Sequence, residues 1–547
     1  MPLVDLGVAS LVLAAILSGA WSGDGGSHEY FIVQGRDLES AATAVLGVGA
    51  EIDRDLGIIH AVAARLTTTQ KSELETGTTP IRIFANGRVR TASDGDGNSV
   101  PTQYPSLVRA DVLHDEGING LGVTIAIVDT GSWLGKGIKK NAQAQHRLLA
   151  RFDAFEDQVE SAGATGVDLN GHGSHVTGVA MSSRQAAGKF NGIAPGADLV
   201  VVEAFDEAGR STYADVINGL DWVVANRDAY GIRVLNLSFS APQRSHYWED
   251  PLNQAVMVAW QAGIVVVASA GNTGPDPMTV GVPGNVPYVV TVGAMTDNYT
   301  PADASDDRLT SFSAAGPTYD AFVKPDLVAP GGHMLSTIWQ NTALAHEHPE
   351  YLQGKYFEMS GTSQAAAAVS GVVALLLQSE PWLTPDEVKC RLMDSARPAV
   401  DDSGALAYSI FQQGSGLVDA YAGVYGSENG CANVGLDVDA DLDGSQHFLG
   451  RAQRAPDGTF YIEGLDGYAW NDGYPWNDGY PWNDGYPWND GYAWNDGYPW
   501  NDGYPWNDGY PWNDGYPWND GYPWNDGYPW NDGLTESAAI NVWVDQE

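Results

Sequence analysis

Four short segments of this chain carry residue types that together could perform acyl transfer. Asp129 closes the apolar run AIVDTG, His172 sits in NGHGSHVTGVA, Asn272 ends VVVASAGNTGP, and Ser363 stands in MSGTSQAAAAVSGVVALLL. A serine hydroxyl is a weak nucleophile until a neighbouring base takes its proton. Histidine titrates near neutrality and can be that base. A carboxylate can then fix its tautomer and stabilise its cation. The oxyanion that develops on the attacked carbonyl needs preorganised donors. The Asn272 amide offers one, and the Ser363 backbone N–H, at a helix start, offers another. Asp129, His172 and Ser363 are therefore the candidate catalytic residues, with Asn272 as candidate oxyanion donor. Taken singly, each has an ordinary reading: a helix cap for Asp129, a surface histidine for His172, an N-cap for Ser363, a turn residue for Asn272. Asp168 is a rival carboxylate without a strand to hold it. His175 shares the setting of His172 and is read as packing, and His333, in PGGHM, as a loop residue.

Bringing four distant segments together requires strands and helices whose ends meet at one edge. Val123–Val128, Leu199–Val202, Val234–Leu237 and Ile264–Ala268 are near-continuous apolar runs. Such runs suit parallel strands covered on both faces. Tyr213–Asn226 and Leu252–Ala262 read as helices between them. The pattern over residues 104–425 predicts a three-layer α/β domain with a parallel sheet, and ligand sites in such sheets form at the carboxyl ends of the strands.

In the order Asp, His, Asn, Ser, the four segments resemble the signature blocks of the subtilisin-like serine proteases. FNGIAPGADLVVV at 190–202, VPGNVPYVVTVGA at 282–294 and FSAAGPTYDAFVKPDLVAPG at 312–331 extend the resemblance over residues 104–425. It implies an endopeptidase of broad specificity that acts on protein or peptide substrates through an acyl-enzyme and requires no organic cofactor. By the same match, Ser238, Phe239 and Ser240 form the strand that pairs with substrate backbone. Ser269, Ala270 and Gly271 wall the first specificity pocket, and Gly209 to Tyr213 form the opposite rim. Three departures stand out. Gln364 replaces a common Met and is expected to face the cleft. Ser240 replaces a common Gly and is expected to narrow it. Arg184–Phe190 has no carboxylate where several relatives bind calcium, so that site is not carried over.

The apolar run Leu6–Leu17, followed by Ser18-Gly19-Ala20, reads as a signal peptide over residues 1–20, although Asp5 and no basic residue precede it. The run is short for a membrane span, no later segment reads as one, and a secreted protein is expected. Residues 29–90 read β-α-β-β-α-β, a ferredoxin-like split motif. Its second helix, 67–76, has Glu73 placed for capping. Size and position resemble the family's inhibitory propeptide, so the chain's own propeptide is an expected inhibitor; a free small α/β binding domain is the alternative. Asn86–Pro101 reads as an exposed linker in which the chain is cut.

Residues 432–463 are acidic, and Asp439, Asp441, Asp443 and Gly444 resemble half of a calcium loop. Gly450 stands where the last ligand would be Glu, so structural calcium stays unassigned beside the reading of a solvated acidic turn. From Trp470 to Trp530, WNDG recurs every six residues in 11 copies, within an array spanning 464–533. Its aromatic ladder could contact a cell surface or polysaccharide, or the array is a low-complexity tail. Residues 534–547 end in a strand-like run. With 69 acidic against 27 basic residues, a net charge of −42, nothing could neutralise a nucleic-acid backbone. The two cysteines, Cys390 and Cys431, form one disulfide in an exported chain or remain separate buried thiols. The contrasting function is a surface-binding protein in which the array acts and the peptidase-like domain is an inactive scaffold.

Overall fold

The computed structural model describes residues 29–77, 79–85, 88–91, 104–160, 167–186, 188–301, 303–353, 356–401, 403–462, 486–487, 544 and 547. The expected signal peptide, most of the linker, and almost all of the array and tail lie outside these residues. Strands β1 (Glu29–Gln34), β2 (Glu51–Leu56), β3 (Ala61–Leu66) and β4 (Arg82–Ala85) alternate with helices α1 (Leu38–Gly47) and α2 (Thr68–Thr76), and a short strand β5 (Arg88–Thr91) follows. Their antiparallel order β2-β3-β1-β4 is that of the ferredoxin-like split motif. Helix α2 is capped by Thr67 and Gln70, three residues on, and not by Glu73, which lies a turn too far. Because side chains alternate across a strand, the sheet has two apolar faces. Phe31, Val33, Val62 and Ala64 face the helices, while Ile32, Ala61 and Ala63 join the core of the following domain. Arg54 reinforces that contact, donating to the Ala154 carbonyl at 2.6 Å, to Asp215 Oδ1 at 2.7 Å and to the Phe155 carbonyl at 2.7 Å.

The apolar runs form strands β6 (Thr124–Asp129), β7 (Leu148–Asp153), β8 (Asp198–Glu203), β9 (Ile232–Leu237), β10 (Val265–Ser269), β11 (Val290–Thr296) and β12 (Leu327–Pro330). The neighbours β7-β8-β6-β9-β10-β11-β12 are all parallel. Short antiparallel partners, Gln158–Glu160 on β7 and Arg308–Leu309 on β11, make the sheet mixed where the sequence suggested a purely parallel one. They return through hairpin connections too short for a parallel crossover. All six residues of β6 are buried, which requires cover on both faces. Helices α3 (His172–Met181) and α6 (Thr362–Ser379) pack together against the sheet, as do α4 (Tyr213–Tyr230) and α5 (Pro251–Gln261). Sixteen of the eighteen residues of α6 are buried. By length and hydropathy that helix could cross a membrane, contrary to the expectation that no later segment would; here it is the core of the domain.

Cys390 and Cys431 are joined in a disulfide across 41 residues, a loop whose closure contributes roughly 4 kcal/mol in the chain-entropy account. The D-x-D-x-D-G run is a helical turn, Val438–Asp443. Its carboxylates take different partners. Asp441 is buried and accepts from Tyr247 and Tyr288, each at 2.6 Å, while Asp443 caps Ser445. Asp441 also holds His447 Nδ1 at 2.9 Å, and Asp320 holds His246 Nδ1 at 2.5 Å. Both imidazoles stack on Trp248, with centroids 4.7 Å and 4.3 Å away, which clamps the acidic segment to the peptidase domain.

Burial opposes the charged form of His246, but the hydrogen bond to Asp320, its charge and that of Glu249 together raise the pKa above its ordinary value. A raised histidine contributes stability that is full below the unfolded value of about 6.5 and is lost as pH rises through the folded pKa. Denaturant unfolding followed by Trp fluorescence should therefore show the wild type losing more stability than His246→Gln between pH 6 and pH 9. Equal losses would contradict the assignment.

Candidate active site

Strand β6 ends at Asp129, and α3 begins at His172 beside it. Asp129 Oδ1 accepts from the Thr130 amide at 2.8 Å and from His172 Nδ1 at 2.7 Å, with both side chains at most 1% exposed. This close approach needs glycine at 173, because a Cβ there would collide with the Gly131 carbonyl and lie 3.1 Å from Asp129 Cβ. Asp168, the rival carboxylate, holds the loop instead. It accepts from the Gly171 amide at 2.7 Å, the Ser174 amide at 2.8 Å and the Ser174 hydroxyl at 2.6 Å, and burial raises its pKa. With Nδ1 donating to Asp129, the His172 ring presents Nε2 as an acceptor, and that nitrogen has no hydrogen-bond partner among the described residues.

Ser363 lies in the first turn of α6. Its hydroxyl donates to the Ser238 carbonyl at 2.9 Å, so the structure joins Asp129 to His172 by a hydrogen bond but does not join His172 to Ser363. Asn272, just after β10, accepts through Oδ1 from the Thr362 amide at 3.0 Å and the Thr362 hydroxyl at 2.7 Å. This fixes the amide and leaves Nδ2 buried with no hydrogen-bond partner among the described residues. Thr362 also accepts from the Gly271 amide at 3.2 Å. Its positioning role was not read from the sequence, where it is only the residue before the serine.

Two of the segments expected to bind substrate flank a strand of the N-terminal module. Residues Arg88–Thr91, inside the supposed linker, pair antiparallel with Arg210–Thr212 on one side and Phe239–Ser240 on the other. Alternating Val89 and Thr91 favour an extended chain, a signal hidden by the Gly- and Asp-rich sequence that follows. Gly209, at φ +65°, turns the chain into the first rim. The Phe239 side chain is buried against Phe205, so Phe239 can meet a substrate only through its backbone. Ser269 Oγ donates to the Phe239 carbonyl at 2.8 Å, and Ala270 is buried behind it. Ser240 packs toward Gly271, where a Cβ would lie 2.9 Å from its hydroxyl, and its backbone pairs with Arg90. Gln364 does not face the cleft. It is fully buried and donates to Met359 Sδ at 3.1 Å and to His175 Nδ1 at 3.4 Å. Among the described residues no three His, Cys, Asp or Glu side chains group as metal ligands.

A family model described as the subtilase family matches residues 120–417. The chain is 36% identical over 339 residues to the serine protease AprX of Bacillus subtilis, covering 60% of this chain and 73% of that one. It is 30% identical over 326 residues to subtilisin DY of Bacillus licheniformis, covering 59% of this chain and 98% of that one. The fold is similar, at a TM-score of 0.58 and 23% identity, to fervidolysin from Fervidobacterium pennivorans, a keratinolytic enzyme related to subtilisin; the match covers 74% of this chain and 62% of that one.

His175 Nε2 donates toward the Met334 and Phe357 carbonyls at 3.1 Å and 3.0 Å, and burial pushes its pKa down to about 3. The unfolded chain takes up this proton near 6.5 and the folded chain does not. Stability should therefore fall as pH drops from about 6.5 toward 3, by up to about 1.4 kcal/mol per pH unit. Urea unfolding of a Ser363→Ala chain at pH 7, 5 and 4 should show this loss, and His175→Gln should reduce the slope. Parallel slopes in the two chains would count against it.

Proposed function

Since the chain belongs to the subtilase family of serine endopeptidases, we propose that it cleaves peptide bonds with Ser363, His172 and Asp129, and that it is made as a secreted, self-processed zymogen. The observation that carries the catalytic reading is the buried 2.7 Å bond from His172 Nδ1 to Asp129, which leaves Nε2 as the base. When a substrate residue extends the strand pairing to Ser238, its amide competes for the Ser238 carbonyl and frees the Ser363 hydroxyl. Ser363 Oγ attacks the scissile carbonyl while His172 Nε2 takes its proton, and Asp129 stabilises the imidazolium. Asn272 Nδ2 and the Ser363 amide donate to the oxyanion. As the tetrahedral species collapses, the C–N bond breaks and His172 protonates the leaving amine, giving an acyl-enzyme. Water, deprotonated by His172, then releases the acid product and restores the serine. No organic cofactor enters this sequence.

The docked N-terminal module supports the zymogen reading. Its strand Arg88–Thr91 lies where a substrate strand would pair, and its sheet packs on the peptidase domain through Arg54. Export rests on the apolar leader at 1–20. Purified wild-type chain should digest casein and start within residues 92–104 on N-terminal sequencing. Ser363→Ala should be inert and keep its N-terminal module; unimpaired casein digestion by this variant would overturn the assignment. Asn272→Ala should lower kcat by about 10²–10³-fold with little change in KM, the magnitude established for one oxyanion donor in subtilisin. Arg54→Ala should weaken inhibition of the mature enzyme by the separately added module, read as a raised Ki. An unchanged Ki would remove Arg54 from the interface.

A further inference from the structure

Beyond the repeat array, the chain returns to the peptidase domain. Val544 is buried within the main core cluster. Glu547 Oε2 lies 3.1 Å from Arg308 Nη1 and accepts from the Ser311 amide at 3.0 Å, and its Oε1 accepts from the Ser311 hydroxyl. The Glu547 backbone oxygen lies 2.5 Å from His333 Nδ1. Gly332 makes room for it, since a Cβ there would overlap that oxygen.

The receiving surface is built rather than incidental. His333, read from the sequence as an ordinary loop residue, is 1% exposed. Its Nε2 meets Asp297 Oδ1 at 2.6 Å, and its ring stacks on Tyr299 at 3.7 Å. The same segment supports the nucleophile. The His333 amide donates to Ser360 Oγ at 2.7 Å, and the Gly331 carbonyl accepts from the Gly361 amide at 2.8 Å, two residues before Ser363. Between Pro487 and Val544 lie 56 residues (544 − 487 − 1), a contour of about 190 Å, ample for the chain to return to its own domain. Such a tether also favours the intramolecular contact through effective concentration.

We propose that Arg308, Ser311, Gly332 and His333 form a docking site for the chain's own acidic tail at Val544–Glu547. The array is then held at both ends as a closed loop, and the docked tail braces the segment that supports Ser363. The site recognises a carboxylate side chain one short step from an apolar residue that inserts into the core.

The test uses the full chain carrying Ser363→Ala, so that docking is read without proteolysis and independently of the catalytic assignment. Deleting residues 534–547 should lower Tm by several degrees. Adding the peptide AAINVWVDQE, residues 538–547, should restore it, while the same peptide with Glu547→Lys should not. Arg308→Glu in the tail-deleted chain should weaken peptide binding at least tenfold by calorimetry. An unchanged Tm on deletion together with no peptide binding would overturn the site. Concentration-dependent dimers in sedimentation, abolished by the deletion, would overturn the closed loop, because the tail would then dock on a second copy.

Discussion

The hydrogen bond between Asp129 and His172 depends on complete burial of two polar side chains, and much of the domain is arranged to make that burial tolerable. A buried carboxylate is costly unless it is hydrogen-bonded. Here Asp129 is held by the Thr130 amide and by the imidazole, while Asp168 gathers the turn before α3 onto itself. The fully buried strand β6 delivers Asp129 to the sheet edge, and glycine at 173 allows the helix to start against it. Thr362 does the equivalent work on the other side. It occupies the oxygen of Asn272 and so fixes the orientation of the amide proposed as oxyanion donor.

Most of this was legible from the sequence, because it is written in local chemistry. Continuous apolar runs gave the strands, and small residues around His172 and Ser363 marked where helices begin close to a strand end. What was not legible depends on tertiary pairing. The strand Arg88–Thr91 is short and flanked by turn-forming residues, and only its two partners make it a strand. Gln364 was placed in the cleft, yet its amide turns inward to His175, because a buried imidazole with one nitrogen on carbonyls needs a donor at the other. The spacing of Asp439, Asp441 and Asp443 resembles half of a calcium loop or a solvated turn, whereas the segment folds as a helical turn with Asp441 buried.

The segments flanking the peptidase domain attach by different physics. The N-terminal module offers a sheet face and one multiply bonded arginine, and its strand enters the cleft by backbone pairing. The acidic segment after Cys431 is held covalently by the disulfide and by two carboxylate-anchored histidines stacked on Trp248. The repeats themselves touch the described structure at Tyr486–Pro487, which pair with Phe448–Leu449. Arg54 and Arg308 are each set against a carboxylate of a packed neighbour.

In the proposed mechanism His172, oriented by Asp129, activates Ser363. The most direct measurement is mass spectrometry of the mature enzyme after reaction with a fluorophosphonate, in the wild type and in His172→Ala. A single adduct on the peptide containing Ser363 is expected in the wild type, with a large loss of labelling rate in the variant. An adduct on another residue, or equal labelling in both chains, would contradict it.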